Sequence, residues 1–186
     1  MRYIVSGIPR SGTSMMMQML QAGGIPLFYS EQREAMLREK YNREHEANPN
    51  GFFELRMSEA QSLCFSDKIP EGHAATIFTE YLPILGAEPT KVVWMEREPE
   101  EIRLSQLKVF NIDLEKKHPN WPKYYYMIRD KVRSILDDRR SIEYIEINHR
   151  DCIDDVASVV SRLSGFIPVS SSACAAVDRG LHRWRQ

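Results

Sequence analysis

The sequence predicts an α/β fold of three layers, a central parallel sheet flanked by helices, and three observations carry that expectation. Short apolar runs rich in β-branched and aromatic residues alternate with segments whose apolar residues recur at helical spacing. Alternation of strand and helix favours a parallel sheet, since each crossover helix packs back onto the sheet and covers a face. The chain has 186 residues, which suits a single domain over 1–186 that buries a core without disulfides or metal.

The elements follow in order. Residues 2–6 form an apolar run that leads into a glycine-containing turn, and residues 13–22 carry Met16, Met19 and Leu20 at helical spacing before Gly23 and Gly24. Residues 30–47 form a charged stretch, read as a solvated helix face, which Asn48-Pro49-Asn50-Gly51 breaks; residues 57–65 fit a further short helix. Residues 74–78 and 91–95 are buried strands, the second followed by Pro99 at a first helical position with Glu100 and Glu101 in the first turn. Pro119 and Pro122 mark a loop. Ile128, Val132, Ile135 and Leu136 then define an amphipathic helix, residues 142–147 a strand, and Val156, Val159, Val160 and Leu163 a last helix ending near Gly165.

Composition narrows the function classes. With 27% charged residues and a net charge of −1, the chain lacks the basic surface that binds polyanions, so no nucleic-acid partner is expected. Cys64, Cys152 and Cys174 are odd in number, far apart and in no zinc or Cys-x-x-Cys spacing, which reads as reduced thiols in a cytoplasmic protein. Neither a basic-then-apolar leader nor an apolar run near 18 residues is evident, so export and a membrane partner are not expected.

In parallel sheets of this kind ligands gather at the carboxyl ends of the strands, which directs attention to the loops after Ser6 and Met95. Gly7-Ile8-Pro9-Arg10-Ser11-Gly12-Thr13-Ser14 joins a strand to a helix, so its backbone N–H groups would curl around an anion at the helix N-terminus. The glycine spacing matches the Walker pattern, but Thr13 stands where nucleotide-hydrolysing members carry lysine. Arg10 supplies a cation suited to bidentate contact with phosphate or sulfonate oxygens. The alternative is a glycine turn with a surface arginine.

The hexapeptide Pro9-Arg10-Ser11-Gly12-Thr13-Ser14 resembles the 5′-phosphosulfate loop of sulfotransferases that use 3′-phosphoadenosine 5′-phosphosulfate (PAPS). That resemblance implies a P-loop-type fold over roughly residues 1–165 and PAPS as cosubstrate. The family pairs an arginine and a serine at the spacing of Arg97 and Ser105, and the resemblance gives these two the 3′-phosphate. A fixed cation at a strand end and a hydroxyl on the adjoining helix can share one phosphate; a helix-capping charge cluster is the alternative. Glu98, Glu100 and Glu101 would oppose such binding unless they point outward.

Sulfuryl transfer needs in-line positioning, neutralisation of the leaving group and a base for the acceptor proton. No metal is expected, because the strand ending at Met95 lacks a terminal aspartate and no His or Cys cluster is present. Tyr29-Ser30-Glu31-Gln32-Arg33 resembles the Gly-Glu-Glu-Thr-Arg segment of the tyrosylprotein sulfotransferases, which implies Glu31 as base and Arg33 as its orienting partner or a contact to the sulfuryl group. The segment ending Lys68-Ile69-Pro70 resembles the same family's lysine segment, which implies that Lys68 neutralises the bridging oxygen as the leaving group departs, with Arg10 as a further catalytic candidate. Each of these has a solvent-exposed structural alternative.

Asn48 to Glu54 resembles a segment of bacterial sulfotransferase-like proteins, in which Phe52 and Phe53 line an acceptor pocket or pack in the core. His149, after a strand, is an alternative base. Tyr124, Tyr125 and Tyr126 cover the acceptor site or pack inside, and residues 177–185 form a cationic flap over the nucleotide or a basic tail. The expected activity is sulfuryl transfer from PAPS to a hydroxyl or amine of a small molecule or peptide. A P-loop kinase or other phosphotransferase, and a non-catalytic nucleotide-binding module, are the alternatives. A chain shorter than many members of that family is expected to lack a lid or to complete its pocket as a homodimer.

Overall fold

The computed structural model describes residues 1–45, 48–55, 68–178 and 180. Strand β1 (Arg2–Gly7) turns Tyr3 and Val5 to one face and Ile4 to the other, as the two-residue period of a strand requires. Helix α1 (Thr13–Ala22) lays Met16, Met17, Met19 and Leu20 on the Tyr3 and Val5 face and stops at Gly23, whose N–H donates to the Met19 carbonyl at 2.9 Å. Helix α2 (Glu31–His45) is the charged stretch expected over 30–47. Ser30 Oγ accepts from Arg33 N at 3.3 Å and so caps its start.

Strand β2 (Ala74–Thr76) is shorter than the expected 74–78, because the chain turns after Phe78 into a 3-10 segment, Thr79–Ile84, that contains Pro83. Strand β3 (Thr90–Glu96) again alternates, Val93 and Met95 on the α1 side, Val92 and Trp94 on the other. Helix α3 (Pro99–Phe110) starts at Pro99 as expected and ends on Asn111, whose φ of 54° is a left-handed cap. After the short α4 (Leu114–Lys117), helix α5 (Trp121–Asp137) takes in Pro122, which belongs to the first helical turn and not to the loop, a turn in which proline costs no hydrogen bond.

Strand β4 (Ile142–Asn148) runs straight into a helix the apolar pattern does not announce, α6 (His149–Asp154), where the Asn148 side chain accepts from Arg150 N at 2.9 Å. Helix α7 (Val156–Ser164) ends at Gly165 as expected, and a second 3-10 segment, Ser171–Ala176, packs on α1 and α7. The strands, all parallel, lie in the order β2-β1-β3-β4.

Two apolar layers follow. α1, α7 and Ser171–Ala176 cover one face of the sheet, and α5 with Thr79–Ile84 covers the other around Trp94, Leu82, Val132 and Leu136. The register sets Gly7 beside Met95 and Glu96 beside Asn148, so the loops after β1, β3 and β4 emerge at one edge. The helix expected over 57–65 lies outside the described residues. Among those described, no helix is long and apolar enough to cross a membrane, and no three His, Cys, Asp or Glu side chains are grouped to hold a metal ion.

Candidate functional site

The loop between β1 and α1 is shaped by close approach. A Cβ at Gly7 would stand 2.8 Å from the Met95 carbonyl oxygen, and one at Gly12, where φ is +107°, would stand 2.6 Å from His149 Cδ2. Gly12 is the N-cap of α1 and provides no side-chain oxygen to its amides, which leaves that end of the helix shaped for an external anion. Arg10 holds a left-handed backbone, φ 77°, an uncommon conformation for a residue with a side chain and one found at binding sites. The buried Ser11 hydroxyl has no hydrogen-bond partner among the described residues.

The second loop joins the first directly. Arg10 Nε donates to Ser105 Oγ at 3.0 Å, Arg97 Nη1 donates to the Arg10 carbonyl at 3.0 Å, and Gln106 Nε2 donates to the Pro9 carbonyl at 2.9 Å. Thus the two loops, far apart in sequence, share one cluster of cations and hydroxyls. Burial, and then the neighbouring Arg97 charge, lowers the Arg10 pKa to about 10, which keeps it cationic at neutral pH. Burial also lowers Arg97, against the Glu101 carboxylate.

The acidic residues near Arg97 are disposed differently from the outward arrangement that phosphate binding was expected to require. Glu98 is exposed, and Glu100 pairs with Arg103. Glu101, by contrast, is buried at 3% exposure, accepting from Arg97 Nε at 2.8 Å and from Arg150 Nη2 at 3.0 Å. One carboxylate between two guanidiniums leaves the local balance positive.

A cavity opens above these loops, and Pro9, Arg10, Gly12, Thr13, Ser14 and Arg97 border it. Ser11 and Ser105 sit just behind, fully buried. Lys108, at the end of α3, and His149, at the start of α6, also reach the cavity; Phe52, Ile77, Phe78, Val109 and Phe110 make its apolar wall. The Arg10 guanidinium lies 5.7 Å from the Phe110 ring centre.

Other residues singled out by the sequence are divided between the cavity and the rest of the molecule. Glu31 is exposed in the first turn of α2, where a carboxylate favours the helix N-terminus, and it does not border the cavity. Lys68 is exposed and also away from the cavity. Arg33 donates to Glu54 at 3.3 Å. Phe53 is buried in the α1 core while Phe52 borders the cavity, so the two aromatic neighbours divide the roles of core and wall. Tyr125 is buried with its hydroxyl toward Arg97 N at 3.5 Å, Tyr124 stacks on His118 at 3.9 Å, and Tyr126 is exposed. Arg179 and residues 181–186 of the basic tail lie outside the described residues; Asp178 reaches the cavity.

Glu54 is the functional candidate that pattern reasoning passed over. It borders the cavity, and burial raises its pKa, opposed by Arg33 and Arg10 and aided by Glu34. Its only sequence signal was its place at the end of an Asn-Pro-Asn-Gly turn followed by two aromatics.

Comparison with known proteins bears on the fold. No protein-family model matches the chain, and no curated protein matches it in sequence. Among solved structures, the sulfotransferase domain of the Synechococcus PCC 7002 olefin synthase superposes with a TM-score of 0.50 at 15% identity, over 95% of this chain and 78% of that one. Mouse sulfotransferase SULT7A1, solved with PAP, superposes with a TM-score of 0.50 at 12% identity, over 97% of this chain; this chain spans 63% of its length. The fold is therefore sulfotransferase-like, an α/β arrangement of the P-loop type.

Proposed function

We propose that this chain is a sulfotransferase that moves a sulfuryl group from PAPS to a hydroxyl or amine of a small-molecule or peptide acceptor. The observation that carries the reading is the joining of the two loops, Arg10 to Ser105 and Arg97 to Arg10, over a glycine-capped helix N-terminus. An anion cradle with three cations, Arg10, Arg97 and Lys108, and an unpartnered buried Ser11 hydroxyl suits a ligand carrying phosphate and sulfonate groups. Thr13 in place of the Walker lysine disfavours a magnesium-nucleotide hydrolase. The mouse neighbour was crystallised with PAP, which adds support. In this reading Arg97 and Ser105 hold the 3′-phosphate, and residues 9–14 hold the 5′-phosphosulfate. The aromatic wall of Phe52, Phe78 and Phe110 suits an acceptor with an apolar body.

Thermal unfolding with added nucleotides tests this. PAP without metal should raise the melting temperature in a concentration-dependent way, and AMP, which lacks the 3′-phosphate, should raise it much less. Arg97→Ala should erase that difference. Stabilisation by ATP with magnesium but not by PAP would overturn the reading in favour of a phosphotransferase.

A further inference from the structure

The cavity wall carries a half-buried carboxylate, Glu54, whose placement has no role in holding the nucleotide. We infer that Glu54 is the base that takes the acceptor's proton, with Arg33 as the residue that positions it; this rests on the sulfotransferase reading above. Among the described residues, Glu54 and Asp178 are the carboxylates that border the cavity. Asp178 is exposed and accepts from Gly180 N at 2.8 Å, whereas the Glu54 side chain is 22% exposed and shares the cavity with Arg10, Thr13, Ser14 and the aromatic wall.

Several contacts fix it there. Ser30 N donates to the Glu54 carbonyl at 3.1 Å, and Glu54 bridges to Thr76 at the end of β2. The buried Glu34 carboxylate accepts from Phe52 N at 3.0 Å and from Phe53 N at 2.8 Å, which pins the segment in the turn where Phe53 is left-handed, φ 55°. Ser14 Oγ donates to the Phe52 carbonyl at 3.2 Å, tying the same segment to the first turn of α1. Arg33 Nη2 holds Glu54 Oε2 at 3.3 Å and leaves the second carboxylate oxygen outside that bond. Thr76, also on the cavity wall, has a buried hydroxyl with no partner among the described residues.

The charged groups acting on Glu54 come from each neighbouring element: Arg33 and Glu34 from α2 and Arg10 from the loop after β1. Burial outweighs the two arginines and raises its proton affinity, which makes it a stronger base than an exposed carboxylate. In the transfer step the acceptor O–H gives its proton to Glu54 as its oxygen bonds to sulfur. The bond from sulfur to the bridging oxygen breaks, and its electron pair departs with PAP toward Arg10. The proton on Glu54 then returns to solvent.

The test uses the full chain with sulfur-labelled PAPS, phenol as probe acceptor and water as the second, alongside calorimetric titration with PAP. Glu54→Gln should bind PAP within about threefold of wild type and lose roughly 10²- to 10⁴-fold in kcat, while Glu31→Gln keeps both. Arg33→Lys should retain more turnover than Arg33→Ala, with PAP affinity equal in the two. Turnover of Glu54→Gln within tenfold of wild type would overturn the inference, and tighter PAP binding in that variant would mark Glu54 as a counter-ion to the anion site. Loss of turnover in His149→Ala with retention in Glu54→Gln would move the base to His149. If wild-type protein failed to bind PAP at all, the sulfotransferase reading itself would fall, an outcome distinct from these.

Discussion

Glu101 offers the sharpest test of how the cationic site is held together. Its carboxylate accepts from Arg97 Nε at 2.8 Å and from Arg150 Nη2 at 3.0 Å, and the side chains of Arg97 and Glu101 are 7% and 4% exposed. Removing one partner of a buried pair costs about 3–5 kcal/mol, because a charge is left behind without compensation. Here Arg97 keeps its bond to the Arg10 carbonyl and borders a cavity that water can enter, so Glu101→Gln should cost less, about 2–4 kcal/mol. For a chain of this size that corresponds to a melting temperature lower by about 4–16 °C. Denaturant unfolding of Glu101→Ala, Arg97→Ala and the double variant gives the coupling between them, and the double variant should lose clearly less than the two singles together. PAP should narrow the deficit of Glu101→Gln, since a phosphate would take over as counter-charge to Arg97. A Glu101→Gln protein that melts within about 1 °C of wild type would refute the view that Glu101 organises Arg97.

Arg10→Ala should fold normally yet bind PAP more weakly by about 2 kcal/mol, the worth of one charge-assisted contact, or about 30-fold by calorimetry; unchanged affinity would remove Arg10 from the site. Burial raises the Glu54 pKa in the folded chain, so its ionisation there is disfavoured relative to the unfolded chain, whose value is about 4.3. Wild-type protein should therefore lose stability relative to Glu54→Gln as pH climbs from that value through the raised one. Parallel unfolding curves of the two proteins across pH 4 to 8 would contradict the burial argument.

Where the sequence was legible, a local signal and the tertiary outcome agreed. Tyr3-Ile4-Val5, the glycine loop and the methionines of α1 each specify their own element, and the fold keeps all three. Pro99 and Gly165 marked helix ends because proline and glycine act through the backbone alone. Pro122 misled for the opposite reason: proline reads equally as loop or as first helical turn, and only the packing of Trp121, whose Nε1 donates to the Pro99 carbonyl at 2.7 Å, selects the turn. Glu54 was invisible to pattern because its burial depends on Glu34 and Arg33, two positions on a helix that looks solvated throughout. Likewise, the inward turn of Glu101 depends on Arg150, which the chain delivers only after β4.

The central place of β1 also governs how the molecule is made. Its neighbours in the sheet are β2 and β3, so Tyr3 awaits Ala74 on one side and Lys91 on the other. During synthesis β1 is therefore made before either neighbour, and it stays without a sheet partner until residues 74–76 have followed it. Pairings that distant are slow to form and leave strand edges open to wrong partners in the meantime. Gly12 meets His149 only once β4 and α6 exist, so the loop after β1 cannot take its final shape before they are made. A nascent chain cut short before β4 would carry every residue of the phosphate loop and still lack His149, the wall that crowds Gly12.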